Sequence, residues 1–228
     1  MLDDFKNAQG IAIDIETIPS QVDKIQSHLV KSVEPDSRLK DQEKIEADIA
    51  KKKAAAMDRA GLHGWSNHII CIGFGNEKTG INSVYCRDPL KDEADMVCTF
   101  FSNIKVQYGD YAHEWIGHNL AAFDFRVLRQ RCIVLGIKWP AIFDRAFRDK
   151  WGDAVFDTML KWTGNNRDMI SLEKLCLALG VETPKQDMDG SQVYAAWQEG
   201  RHDEIRAYCE GDVAATYKVY QKMKGAGL

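Results

Sequence analysis

The run Ile11-Ala12-Ile13-Asp14-Ile15-Glu16-Thr17 sets two carboxylates two residues apart inside an apolar stretch. Side chains alternate faces along a β-strand, so Ile11, Ile13 and Ile15 would share one face and Asp14 and Glu16 the other. The two acids would then stand side by side at roughly 7 Å, with the isoleucine row turned to a core. Two such anions repel unless a cation sits between them, and a divalent metal ion is the usual solution. A strand of this kind needs further oxygen ligands from elsewhere in the chain.

A second segment answers that need near the end of the sequence. Ile205, Tyr208, Cys209, Asp212, Thr216 and Val219 recur at helical spacing, which puts Asp212 on the stripe facing the interior. A buried carboxylate must be paired or bound to metal. Tyr208 lies one turn earlier on the same face, so its hydroxyl can reach the same place. A core tyrosine and an aspartate bonded to a nearby backbone would fit the pattern equally. The third segment is Gly117-His118-Asn119-Leu120-Ala121-Ala122-Phe123-Asp124. Asp124 begins a helix, where aspartate is common as a cap. His118 and Asn119 leave a strand end, a place for turn residues or for ligand contacts.

Asp-x-Glu on a strand, Asn-x-x-x-Phe-Asp after another strand and Tyr-x-x-x-Asp on a late helix occur here in that order. Together they resemble the three motifs of the DEDD superfamily of 3′–5′ exonucleases, in its tyrosine branch; the histidine branch would want histidine at position 207, which is Ala207. The stretches Leu172-Glu173-Lys174-Leu175, Asp189-Gly190-Ser191-Gln192-Val193 and Tyr208-Cys209-Glu210-Gly211-Asp212-Val213 are similar to stand-alone exonucleases related to the proofreading domain of family-B DNA polymerases. The resemblance spans most of the chain, with residues 21–61 only loosely tied to it.

That resemblance implies a ribonuclease H-like α/β fold and a metal-dependent 3′–5′ exonuclease releasing nucleoside 5′-monophosphates from single-stranded DNA ends. Asp14, Glu16, Asp124 and Asp212 would hold two magnesium or manganese ions about 4 Å apart. In the family pattern Asp14 bridges both ions, Glu16 and Asp212 complete the site of the attacking water, and Asp124 serves the ion at the leaving 3′ oxygen. Tyr208 would orient the water instead of taking its proton, because a phenol titrates near pH ~10. Asn119 and Phe123 match positions that contact the terminal nucleotides, Phe123 by stacking, and Thr17 would line the pocket through its backbone. Among the basic residues Arg126, Arg129, Arg131, Arg167 and Lys185, the loop residue Lys185 is the first candidate for a phosphate contact. Two other readings share the fold: an RNA-trimming exoribonuclease and a non-catalytic nucleic-acid-binding scaffold. A structural calcium site fails for want of a compact run of oxygen ligands. Expected partners are nucleic acid and a separate polymerase or replication protein, not a membrane.

The elements that must position these residues are legible in outline. With 228 residues and 45% hydrophobic content, the chain has ample material for a core, and we expect one exonuclease domain over residues 1–228. A net charge of −4 gives no general nucleic-acid footprint, so a polyanion needs a local basic patch or bound metal. The six cysteines are scattered, most of them in apolar runs, as reduced thiols of a cytoplasmic protein would be. No signal-peptide stretch or membrane-length apolar run is visible. Strands are expected near 11–15, 68–74, 81–86 and 114–117. Helices are expected over 91–107, 123–136, 171–179, 191–199 and 202–224. Residues 21–61 read as a solvated polar helical insertion between the first two strands, placed where it could also form a flap. Asp157 is either a supporting carboxylate or a cap, and the six tryptophans read as core anchors. Strands first and helices later point to a mixed sheet covered by helices, with a mostly helical C-terminal half.

Overall fold

The computed structural model describes residues 10–109, 114–149, 152–164, 169–183 and 188–228. Five strands form one mixed sheet: β1 (Ile11–Pro19), β2 (Asn67–Asn76), β3 (Gly80–Tyr85), β4 (Trp115–Gly117) and β5 (Val155–Asp157), in the order β3-β2-β1-β4-β5. β1 to β3 run antiparallel, whereas β4 and β5 run parallel to β1. The acid-bearing strand is therefore central, which explains why both its faces are largely buried. It extends four residues beyond the expected end: a register shift between Glu16 and Thr17 lets Thr17–Pro19 go on pairing with β2. The α/β architecture with a helical C-terminal half is as expected.

Helices α1 (Asp23–Lys31) and α2 (Gln42–Ala60) fill the insertion, followed by α3 (Pro89–Tyr108) and α4 (Asp124–Leu135). α1 buries no residue and α2 only Ala60, the thin seam its composition implies. The short helices α5 (Asp144–Arg148) and α6 (Thr158–Thr163) then flank β5, and α7 (Leu172–Leu179), α8 (Val193–Gln198) and α9 (His202–Gly225) complete the chain. β5, α5 and α6 were not anticipated, being too short to carry a readable period.

Ile11, Ile13 and Ile15 enter a core with Phe74, Phe100, Trp115, Phe125 and Phe143, where Trp115 stacks on Phe143 at 4.5 Å between centroids. Ala12, two residues before Asp14 on the other face, packs with Ile116, Phe156, Val213 and Val219, so α9 covers the acid-bearing face. Its approach is close: a Cβ on Gly73 would lie 2.8 Å from Val213 Cγ2 and 3.0 Å from Cys209 Sγ. Any larger residue there would push α9 and its acid off the sheet.

Two expectations are corrected. Trp65 and Trp162 are exposed, not core anchors. Arg131 is unavailable for phosphate because it is buried against Glu93 at 2.6 Å, with His68 Nδ1 2.7 Å from the same carboxylate. That triad ties α3 and α4 to β2.

Candidate active site

The strand alternation places Asp14 and Glu16 on the α9 side of β1. The helical spacing places Tyr208 and Asp212 opposite them. The Tyr208 hydroxyl hydrogen-bonds Asp212, and Asp14 shares a hydrogen bond with Glu16. Asp124 arrives differently. It is the first residue of α4, and its Oδ1 accepts the Ile15 backbone N–H at 3.2 Å, which joins the helix start to the strand between the two acids. Phe123 is the N-cap and makes no side-chain cap bond, so Asp124 is not the cap but a buried carboxylate in the first turn of α4.

The electrostatics show anions crowded beyond what water screens. Burial, then Asp212, pushes the Asp14 carboxyl up to about 8. Burial, then Asp14 and Asp212, holds Glu16 well above the ordinary range. Burial raises Asp212 to about 6 although the Tyr208 hydrogen bond opposes it. Asp124 is raised by burial, then by Asp14. Burial and the neighbouring acids push the Tyr208 phenol far above its usual value, so it stays protonated and acts as a donor. Four repelling carboxylates offer an all-oxygen donor set that suits hard divalent ions.

One residue of the cluster escaped the sequence reading. Cys209 brings its sulfur within 4.8 Å of ligand oxygens of Asp14 and Glu16, and its thiol contacts Cys71, the strand partner of Glu16. Burial keeps the Cys209 thiol protonated, so it acts as packing and not as a ligand for a hard ion. Its place on the α9 stripe was visible; its distance to the acids was not.

The remaining candidates surround this cluster. Asn119 sits at the end of β4 with φ 66°, a left-handed conformation that asparagine tolerates better than most residues. Its N–H is held by Asp157 Oδ1 at 3.0 Å, and the same oxygen caps α6 through the Met159 and Leu160 N–H groups. Asp157 is thus a cap and a support for Asn119 at once. The Phe123 ring is half-buried against the main core. Thr17 Oγ1 donates to Gly61 O at 2.7 Å, joining the site strand to the end of α2. A cleft of about 560 Å³ opens on Tyr208 and Asp212 between Leu172, Met188, Gly190 and Gln192. The Asp189-Gly190-Ser191-Gln192 motif is the capped turn at its rim. Lys185 and Arg167 lie outside the described residues. Among those described, Arg126 bonds Ala122 O and Leu62 O, and Arg129 lies over the Phe147 ring. No helix among the described residues is long and apolar enough to cross a membrane.

Comparison with known proteins supplies the family. An uncharacterized protein of Methanocaldococcus jannaschii is 24% identical over 180 residues, which cover 75% of this chain and 94% of that protein. The family B DNA polymerase of the hyperthermophilic archaeon Pyrobaculum calidifontis matches in fold with a TM-score of 0.59 at 14% identity. That match covers 95% of this chain but only 24% of the polymerase. Residues 66–226 match the model of a family described as predicted 3′-5′ exonucleases related to the exonuclease domain of PolB, and this chain belongs to that family.

Proposed function

We propose that the protein is a metal-dependent 3′–5′ exonuclease that shortens single-stranded DNA from its 3′ end by one nucleoside 5′-monophosphate at a time. The observation that carries this reading is the cluster of Asp14, Glu16, Asp124 and Asp212, in which Glu16 and Asp124 are buried, Asp14 and Asp212 are half-buried, and all four carboxyls are pushed above their usual range. Those four residues would hold two magnesium or manganese ions. When bound, such ions lower the pKa of an attacking water and absorb charge on the scissile phosphate.

The chain's own residues supply the rest. Asp14 and Glu16 fix the centre on β1, the middle strand of the sheet. Asp212 and Tyr208 close it from α9, and the Tyr208 O–H, held protonated, orients the water. Asn119 and Phe123 receive the terminal nucleotide, Thr17 lines its pocket, and Lys185 contacts phosphate. Residues 1–228 act as one exonuclease domain in the cytoplasm, with a polymerase or replication protein as a candidate partner. Related enzymes acting on RNA would use the same chemistry, because the phosphodiester and not the sugar reacts.

A gel time course on 5′-labelled DNA and RNA oligonucleotides tests the proposal. Wild type and Asp14→Ala are compared in magnesium, manganese and EDTA. A metal-dependent ladder from the 3′ end, absent in the variant, is expected on DNA; a faster ladder on RNA reassigns the sugar. Tight binding without cleavage of either strand favours the scaffold reading.

A further inference from the structure

The turn between α2 and β2 lies, apart from Ser66, outside the residues matched by the family model, and it is built in an unusual way. Arg59, Leu62, His63 and Trp65 are exposed, while Ala60, Gly61, Gly64 and Ser66 between them are buried. Leu62 and Trp65 each keep 51% of their surface open. Such exposure on a mobile loop would mean little, but this backbone is pinned from all sides. Gly61 O accepts from Thr17 Oγ1 and Asn67 Nδ2, both at 2.7 Å. Leu62 O accepts from Arg126, Gly64 N–H donates to Gln130, and Gly64 O accepts from buried Arg131. The Ser66 hydroxyl reaches back to Ala60 O. From α1, His28 meets the Trp65 ring edge-on at 6.0 Å between centroids.

The turn begins at the candidate active site. Thr17 follows Glu16 directly, and Arg126 lies two residues past Asp124. Asn67, two residues after Trp65, pairs with Pro19 three residues beyond Glu16, which sets Trp65 about 10–15 Å along the strand from the acids. Cations accompany the apolar side chains: Arg59 and Arg126 have no carboxylate partner among the described residues.

We propose that this turn is a stacking platform for a single nucleic-acid strand whose 3′ end lies in the acid cluster, with Leu62 and Trp65 receiving bases and Arg59 and Arg126 the phosphates. The proposal rests on the exonuclease reading. A rigid aromatic flanked by cations without carboxylate partners is how proteins hold single strands regardless of sequence. A protein partner would not account for continuity with the site through Thr17 and Arg126.

Two substrates separate the platform from the acid cluster. The p-nitrophenyl ester of thymidine 5′-monophosphate carries one nucleotide and touches only the centre; a 5′-fluorescein-labelled thymidine 12-mer also spans the turn. Trp65→Ala should weaken 12-mer binding, read by anisotropy in EDTA, by about fivefold or more, as loss of one stacked base does. It should slow 12-mer cleavage at low concentration alike, and leave ester hydrolysis unchanged. Trp65→Phe should restore most of the binding, which a folding defect would not. Unchanged 12-mer affinity in Trp65→Ala, or equal losses on ester and 12-mer, overturns the platform. Should wild type cleave neither substrate, the exonuclease reading fails, yet the anisotropy comparison still decides the platform. A thymidine or a uridine 12-mer serves equally for that comparison.

Discussion

Asp14→Asn should make the metal-free protein more stable while destroying its response to metal. The folded state raises the Asp14 carboxyl from 3.8 to about 8. Between those values the unfolded chain has released the proton and the folded chain still holds it, so stability falls as pH rises and the full loss is reached above pH 8. By pH 7 about three pKa units of that cost are realised, a ceiling of ~4 kcal/mol. The partial exposure of Asp14, and the charge it shares with Asp212, bring the expectation to about 1–3 kcal/mol. Asparagine keeps the shape and can donate to Glu16, so most of that should return as stability. For a chain of this size the gain corresponds to a Tm higher by roughly 3–9 °C. Thermal unfolding in EDTA from pH 5 to 8 measures it directly. Wild type should lose Tm across that window and recover it in manganese; Asp14→Asn should start higher, slope less and ignore manganese. A variant less stable than wild type in EDTA at pH 7.5 would refute the view that the fold holds these carboxyls at a cost until a cation binds.

Other consequences follow from single contacts. Tyr208→Phe removes the hydroxyl that bonds Asp212, and should lower kcat about 10- to 100-fold with little change in metal affinity; unchanged turnover removes its water-orienting role. Asn119→Ala forces alanine into a left-handed backbone and should cost about 1–2 kcal/mol in chemical denaturation, whereas Asn119→Gly should spare stability and still raise KM. Glu93→Ala strands the buried Arg131 guanidinium and should destabilise by about 3–5 kcal/mol in urea unfolding.

The placing of the acids and the tyrosine was legible because it depends on local periods. Alternation put Asp14 and Glu16 together, the α9 stripe put Tyr208 beside Asp212, and Gly136 ended α4 in a left-handed turn where glycine was expected. What escaped depends on distant pairing. Thr17–Pro19 join β1 only because β2 accommodates the register shift, and three-residue β5 exists because β4 lies beside it. Asp124 reads as a cap from its own position and joins the acid set only through the family resemblance; its 3.2 Å bond to the Ile15 N–H, which ties it to β1, could not be read from the sequence. Arg131 looked like surface charge because Glu93 and His68 are far away in sequence. Trp65 reads as core by residue type, whereas the pinned turn holds it outward.

Manganese titration followed by electron paramagnetic resonance, with thymidine 5′-monophosphate present, tests the acid cluster most directly. Two ions should bind each wild-type chain and each Tyr208→Phe chain, and Asp14→Ala should lose both. A wild-type chain that binds no manganese, or an Asp14→Ala chain that binds it as well as wild type, would contradict the assignment of these four carboxylates as a metal centre.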